Sequence, residues 1–173
     1  SRDRFVSLYT PAAGGMQRID SFDTSHYHQH PTFLGGGGGL VSTIDDYQRF
    51  CDMLLAGGSG NGSRIIGPKT LAYMTTNHLS GGATLNEMGQ SLFSETALEG
   101  TGFGLGFSVT VDPAALGAAS SEGDYGWGGA ASTAFWIDPA EELSVIFLTQ
   151  LLPSSSYPIR RQLRSVVYQA LTS

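Results

Sequence analysis

Cysteine occurs once in this chain, at Cys51, and lysine once, at Lys69. A lone cysteine excludes an internal disulfide and any cysteine-rich metal framework. Cys51 also falls in a helical apolar pattern, which reads as a buried structural thiol rather than a nucleophile. Nine basic residues against fifteen acidic ones give a net charge of −6, and no basic run occurs outside Arg160, Arg161 and Arg164. That balance speaks against nucleic acid as a partner. No apolar stretch approaches the ~20 residues of a membrane span, so no membrane partner is expected. The first residues, SRDRF, lack the apolar run of a secretory leader, and a cytoplasmic location is the expectation.

Nucleophile signatures are scarce too. The nearest approach to a G-x-S-x-G elbow, Gly57-Gly58-Ser59-Gly60-Asn61, fails at its last position. The glycine run Gly35 to Gly39 has no Gly-Lys-Ser/Thr after it, so it is not a phosphate loop. Asp45 and Asp46 stand where a helix should begin, and Asp52 lies off that helix's apolar stripe. Capping explains the first two better than paired-carboxylate chemistry does. His26, His28 and His30 would share one face of a strand, as a zinc site wants. They sit in a polar loop with Pro31, so no metal and no cofactor is expected.

What is present is a pattern of strands and amphipathic helices. Residues 4–10 alternate and read as a strand, a turn follows at Pro11 to Gly15, and 16–22 can return. Tyr47, Phe50, Cys51, Leu54 and Leu55 form one face of a helix over 43–56, stopped by Gly57-Gly58. A second helix is expected from Pro68 to about residue 77, then a long surface loop over 80–100. Phe103, Leu105, Phe107, Val109 and Val111 alternate with small residues and read as one strand, followed by a loop over 112–124. Residues 131–138 and 143–151 read as a strand pair turning at Asp138-Pro139-Ala140-Glu141. A last helix starts near Ser156 or Pro158. Ile159, Leu163, Val166, Val167, Ala170 and Leu171 form its apolar stripe, with its arginines on the solvated face. The fold class is therefore α+β, an antiparallel sheet with a packed C-terminal helix plus additional helices.

The segment Tyr125-Gly126-Trp127-Gly128-Gly129-Ala130 opens the strand pair. A glycine pair at a strand mouth admits a backbone or ligand where a Cβ would block it. An exposed polar backbone row there can bind an acyl oxygen. A glycine-rich strand start with no site explains the pattern equally well.

YGWGGAASTAFWIDPAEELSVIFL resembles the C-terminal strand pair of penicillin-recognising serine hydrolases: class C β-lactamases, DD-peptidases and, closest, family VIII carboxylesterases. There the first strand carries a K-T-G, H-x-G or W-x-G triplet, matched here by Trp127-Gly128-Gly129. GGGGGLVSTIDDY at 35–47 resembles the helix start of the same esterases, and the likeness continues through LLAGGSGNGSRIIGPKTLAYMTTNHL. The nucleophile motif S-x-x-K is missing, because Ile66 stands three before Lys69, and no Y-x-N occurs. Residues 1–173 therefore read as a single unit, the C-terminal portion of such a hydrolase domain without its nucleophile half.

The resemblance implies acyl-enzyme ester hydrolysis with an N-terminal half as partner and a small-molecule ester as substrate. Trp127 stands where the β-lactamases have lysine. Tyr125, Trp127, Gly128 and Gly129 would line the substrate, and the Ala130 N–H would be the second oxyanion donor. Without a lysine cation, the wall suits an ester better than an anionic lactam. The alternatives are a non-catalytic binding or scaffold domain, or half of a β-lactamase or D-amino-acid peptidase. Apolar surface left by the missing half would invite self-association.

Overall fold

The computed structural model describes residues 2–88 and 99–172. The central feature is a five-stranded antiparallel meander of β5 (Thr101–Phe103), β6 (Ser108–Thr110), β7 (Tyr125–Gly128), β8 (Ala134–Asp138) and β9 (Leu143–Phe147), adjacent in that order. Two small hairpins stand apart from it: β1 (Leu8–Ala12) with β2 (Gly15–Asp20), and β3 (Ser59–Gly60) with β4 (Ser63–Arg64). The helices are α1 (Ile44–Leu55), α2 (Pro68–Met74), the single turn α3 (Pro113–Leu116) and α4 (Ile159–Gln169). The α+β class with its packed C-terminal helix follows from the pattern.

Helix α1 forms where its start signal stands. The Thr43 hydroxyl oxygen accepts from the Asp46 N–H at 3.2 Å and donates to the Asp46 carboxylate at 2.9 Å. Gly57 and Gly58, at φ +68° and +94°, end the helix. A Cβ on Gly58 would lie 2.1 Å from the Ile66 carbonyl oxygen, so no other residue fits there. Cys51, Met53 and Leu54 carry α1 into a core with Leu71, Phe107, Val109, Tyr125 and Ile137.

The sheet separates α1 from α4. On β8, Phe135 meets Tyr47 of α1 edge-on at 5.2 Å, while Trp136 lies under the Arg164 guanidinium of α4 at 4.8 Å. Successive strand residues face opposite sides, so α1 and α4 cover opposite faces. On β7 the same alternation puts Tyr125 and Trp127 toward α1, and Gly126 and Gly128 toward α4.

Several expected boundaries move. The alternating run 103–111 is not one strand: it folds back at Gly104–Phe107, with Gly106 at φ +98°, and becomes β5 and β6. Glycines at alternate positions read as a small face, but one of them makes the turn. Residues 131–138 shorten to β8, because Ser132 adopts φ +69° in the preceding turn, while 125–128 form a strand of their own. Residues 4–10 do not join the main sheet. Pairing runs from Leu8 to Ala12, and Tyr9 forms a separate bridge to Leu151. The expected loop 112–124 contains α3, capped by the Asp112 carboxylate. The second helix closes at Met74 rather than residue 77. Of the expected loop 80–100, residues 89–98 lie outside the described residues.

The last helix is rotated relative to expectation. Ile159, Leu163 and Val167 of the expected stripe are half-buried, but Val166 and Leu171 are exposed, and Arg160 and Arg164 join the half-buried face against the sheet. The reason is the sheet face itself. It presents the carboxylate of Asp124, 1% exposed, which needs donors, and the Gly129 and Thr133 carbonyls of the turn after β7, which accept a further bond. Arg164 meets Asp124 with a two-nitrogen fork at 2.6 and 3.3 Å, and the Thr110 hydroxyl donates to the same carboxylate at 2.6 Å. One turn on, the Tyr168 hydroxyl donates to the buried Asp138 at 2.6 Å. The other oxygen of Asp138 accepts from the Ala140 and Glu141 N–H groups, which closes the β8–β9 turn.

Candidate active site

The candidate site is the C-terminal end of β7 and the turn that leads into β8. Gly128 pairs with Ala134, and the Gly129 N–H donates to the Thr133 carbonyl at 2.9 Å. Inside that loop the Ser132 N–H donates back to the Gly129 carbonyl at 3.1 Å. The Ser132 hydroxyl donates to the Leu151 carbonyl at 2.7 Å, and the Leu151 N–H donates to Ala131 at 3.0 Å. The turn is thus fixed by its own bonds and by the chain after β9. Ala130 is exposed at its tip. Its N–H has no acceptor among the described residues.

Trp127 is 47% exposed and packs edge-on to Phe103 of β5 with ring centroids 5.0 Å apart. Asn77 fixes that partner. Its amide oxygen accepts from the Phe103 and Leu79 N–H groups, and its amide nitrogen donates to the Ala83 carbonyl. The space above Gly102 is filled by this side chain, since a Cβ there would lie 2.3 Å from the Asn77 amide carbon. An aromatic wall beside an unpaired N–H suits an acyl group with a carbonyl to be polarised.

The expected site residues divide. Trp127 lies near the end of β7, and Gly129 and Ala130 lie in the turn that follows. Tyr125 does not join them: it is 3% exposed and packs on Phe107 in the core, centroids 5.3 Å apart. The glycine pair is not open space either. A Cβ on Gly128 would lie 2.5 Å from the Arg160 guanidinium carbon, and one on Gly129 would lie 2.4 Å from the Thr133 hydroxyl. The missing side chains make room for the protein's own groups. Arg160, Asn77 and Phe103 were not legible as site residues, because their roles depend on contacts 24 or more positions away. At His26–His28 the chain forms one 3-10 turn instead of a strand, and His28 stacks on Phe22 at 5.1 Å.

A protein-family model described as Beta-lactamase matches residues 2–169. The chain belongs to the beta-lactamase family. Among similar proteins, an uncharacterized protein of Mycobacterium tuberculosis is 37% identical over 154 residues, covering 83% of this chain and 37% of that protein. Esterase EstB of Burkholderia gladioli is 29% identical over 162 residues, covering 93% of this chain and 37% of that protein. Solved structures share the beta-lactamase-like fold. Unliganded Simvastatin Synthase (LovD) from Aspergillus terreus superposes with TM-score 0.74 at 18% identity, over 97% of this chain and 43% of that one. EstCE1, described as a hydrolase with promiscuous acyltransferase activity, gives TM-score 0.64 at 23% identity, over 94% and 43%. The chain spans about 37% of the length of these curated relatives. It is part of a beta-lactamase-type domain.

Buried acids in this family member titrate late. Burial, and secondarily the neighbouring Asp52 charge, push the Cys51 thiol up to about 11. Burial and then Cys51 push the Tyr125 phenol up to about 12. Tyr168 shifts the same way through burial and its bond to Asp138. Each group holds its proton more tightly folded than unfolded, so the native state binds more protons at alkaline pH. That stability is complete below the unfolded thiol value of about 8.5 and declines as pH rises toward 12. Denaturant midpoints should therefore be flat from pH 7 to 8 and fall steadily above 9. At pH 8 the native thiol, 0% exposed, should resist iodoacetamide and react once the chain is unfolded. Rapid native alkylation would contradict this placement of Cys51.

Proposed function

We propose that this chain supplies the pocket wall and one oxyanion donor of a serine carboxylesterase that works through an acyl-enzyme. The unpaired Ala130 N–H beside the exposed Trp127 ring carries the reading. In the cycle, a serine hydroxyl outside the chain adds to the ester carbonyl and gives up its proton to a base. The carbonyl oxygen takes up negative charge, and the Ala130 N–H donates to it. Collapse expels the alcohol and leaves an acyl-serine, which water then cleaves by the same route. Trp127 packs along the acyl or alcohol part.

The partner is an N-terminal half of the same hydrolase carrying S-x-x-K and the tyrosine base. Two features fit it. Strand β9 ends the sheet with one edge unpaired among the described strands, and Phe33, Leu34, Leu40 and Val41 are exposed apolar residues ahead of α1. The missing half covers these. Without it, the same surface drives self-association. The esterase among the relatives supports this reading over a lactamase, as does the absence of a cation at Trp127.

The test is Trp127→Lys in the full-length protein. A cation beside the pocket should raise kcat/KM for anionic β-lactams relative to neutral esters, by roughly tenfold for a gain of about 1.4 kcal/mol in one charge-assisted bond. An unchanged ratio in a folded variant would show that Trp127 does not meet substrate.

A further inference from the structure

We propose that Arg160 is a positioning residue that fixes and polarises the oxyanion donor from behind the sheet. The inference rests on the reading of Ala130 given above. Arg160 lies on α4, on the face of the sheet opposite Trp127. Its Nη2 donates to the Gly129 carbonyl at 2.6 Å and to the Thr133 carbonyl at 2.9 Å. These two carbonyls bracket the turn. Gly129 and Thr133 are also joined by the backbone bond from the Gly129 N–H. One guanidinium therefore holds both ends of the loop that presents Ala130.

The bond at Gly129 does more than hold. The Gly129 carbonyl and the Ala130 N–H belong to one peptide unit. In a trans peptide the two dipoles point in opposite directions, so a donor behind the carbonyl leaves the N–H aimed at the other side. The cis bond of the chain is elsewhere, at Leu152-Pro153. A cationic donor on the carbonyl draws electron density through the amide and makes the N–H a stronger donor, as in any hydrogen-bonded peptide chain. The Ser132 N–H, bonded to the same carbonyl at 3.1 Å, acts in the same sense.

Gly128 is what lets the arginine in. A Cβ at that position would lie 2.5 Å from the Arg160 Cζ and 2.7 Å from both terminal nitrogens. The middle residue of the Trp127-Gly128-Gly129 triplet is glycine because a guanidinium occupies its side-chain space. The triplet and the C-terminal helix thus form one device, with the wall in front and the cation behind.

The test has two arms. In the 15N-labelled 173-residue chain, Arg160→Met should move the Ala130 amide nitrogen upfield, because the carbonyl of its own peptide loses a charged donor. Arg160→Lys should restore part of the shift. Gly128→Ala, which displaces the guanidinium without deleting it, should reproduce the Met result. In the full-length protein, Arg160→Met should lower kcat for a short acyl ester roughly two- to eightfold, a tenth to a third of the effect of deleting a whole oxyanion donor on a logarithmic scale. KM should stay near the wild-type value, and Lys should recover part of kcat. A purely structural role would lower the melting temperature and leave kcat per folded molecule unchanged, which would overturn the inference. So would an unmoved Ala130 resonance in folded Arg160→Met or Gly128→Ala. If the full-length protein cleaves no ester at all, the proposed function fails, and the amide shift alone decides whether Arg160 polarises this peptide.

Discussion

Replacing Ala130 with proline in the full-length protein should cut the rate of ester hydrolysis about 10²–10³-fold, equivalent to roughly 3–4 kcal/mol of transition-state stabilisation. Proline deletes the N–H. Ala130 lies in the turn between β7 and β8, outside both strands, so no ladder bond is lost with it. Its backbone φ is not in the left-handed region, which a proline ring cannot adopt. Substrate affinity should change much less than kcat, because the donor is aimed at charge that develops only in the transition state. Proline also restricts Gly129, the residue before it. Ala130→Gly keeps the N–H and serves as the control for altered backbone. The comparison is therefore kcat of the proline variant against the glycine variant at matched melting temperature. Equal rates would place the oxyanion hole elsewhere.

The second large effect concerns stability. Arg164→Ala should destabilise the chain by about 3–5 kcal/mol, because it leaves the Asp124 carboxylate buried and unpaired. For a chain of this size that corresponds to a fall of roughly 6–20 °C in melting temperature. The loss includes the stacking of the guanidinium on Trp136. Neutralising both partners, Arg164→Met with Asp124→Asn, should recover much of the loss, since the cost lies in the orphaned charge rather than in the pair. A single variant as stable as the double one, and both near wild type, would mean that Asp124 is hydrated in solution and that α4 is held by other contacts.

How far the sequence carried this picture differs from element to element. Helix α1 was readable because its signals are local: Thr43 at the cap, acidic residues in the first turn, apolar residues at helical spacing and a glycine pair at the end. The β8–β9 turn was readable for the same reason, since Asp138 bonds N–H groups two and three residues on. The β5–β6 hairpin was hidden because Gly104 and Gly106 fit an alternating strand as well as a turn. The face of α4 was misread because helical periodicity ranks arginine as solvent-facing. What overrides that ranking is a pair of buried aspartates and two turn carbonyls with a lone pair to spare, supplied by residues 27 to 40 positions away along the chain.

The site divides along the same line. The triplet Trp127-Gly128-Gly129 and the donor after it stood out by pattern and by resemblance to the beta-lactamase family. The reason for the glycines did not. A strand mouth kept open for a ligand and one kept open for an arginine look identical in one dimension. Tyr125 was placed on the wall because it adjoins the triplet. Strand alternation alone gives it the same face as Trp127, and only the packing of α1 and Phe107 shows that this face is core at one position and surface two residues later.

The central claim is that this chain holds a pocket wall and an oxyanion donor but no nucleophile. Hydrolysis of a short chromogenic acyl ester by the purified 173-residue chain, set beside the full-length protein carrying S-x-x-K, tests it most directly. The account predicts no turnover above a heat-inactivated control for the chain alone, because the nucleophile and base are missing, and clear turnover for the full-length protein. Turnover by the chain alone that survives repeated purification, and disappears when the chain is unfolded, would contradict it.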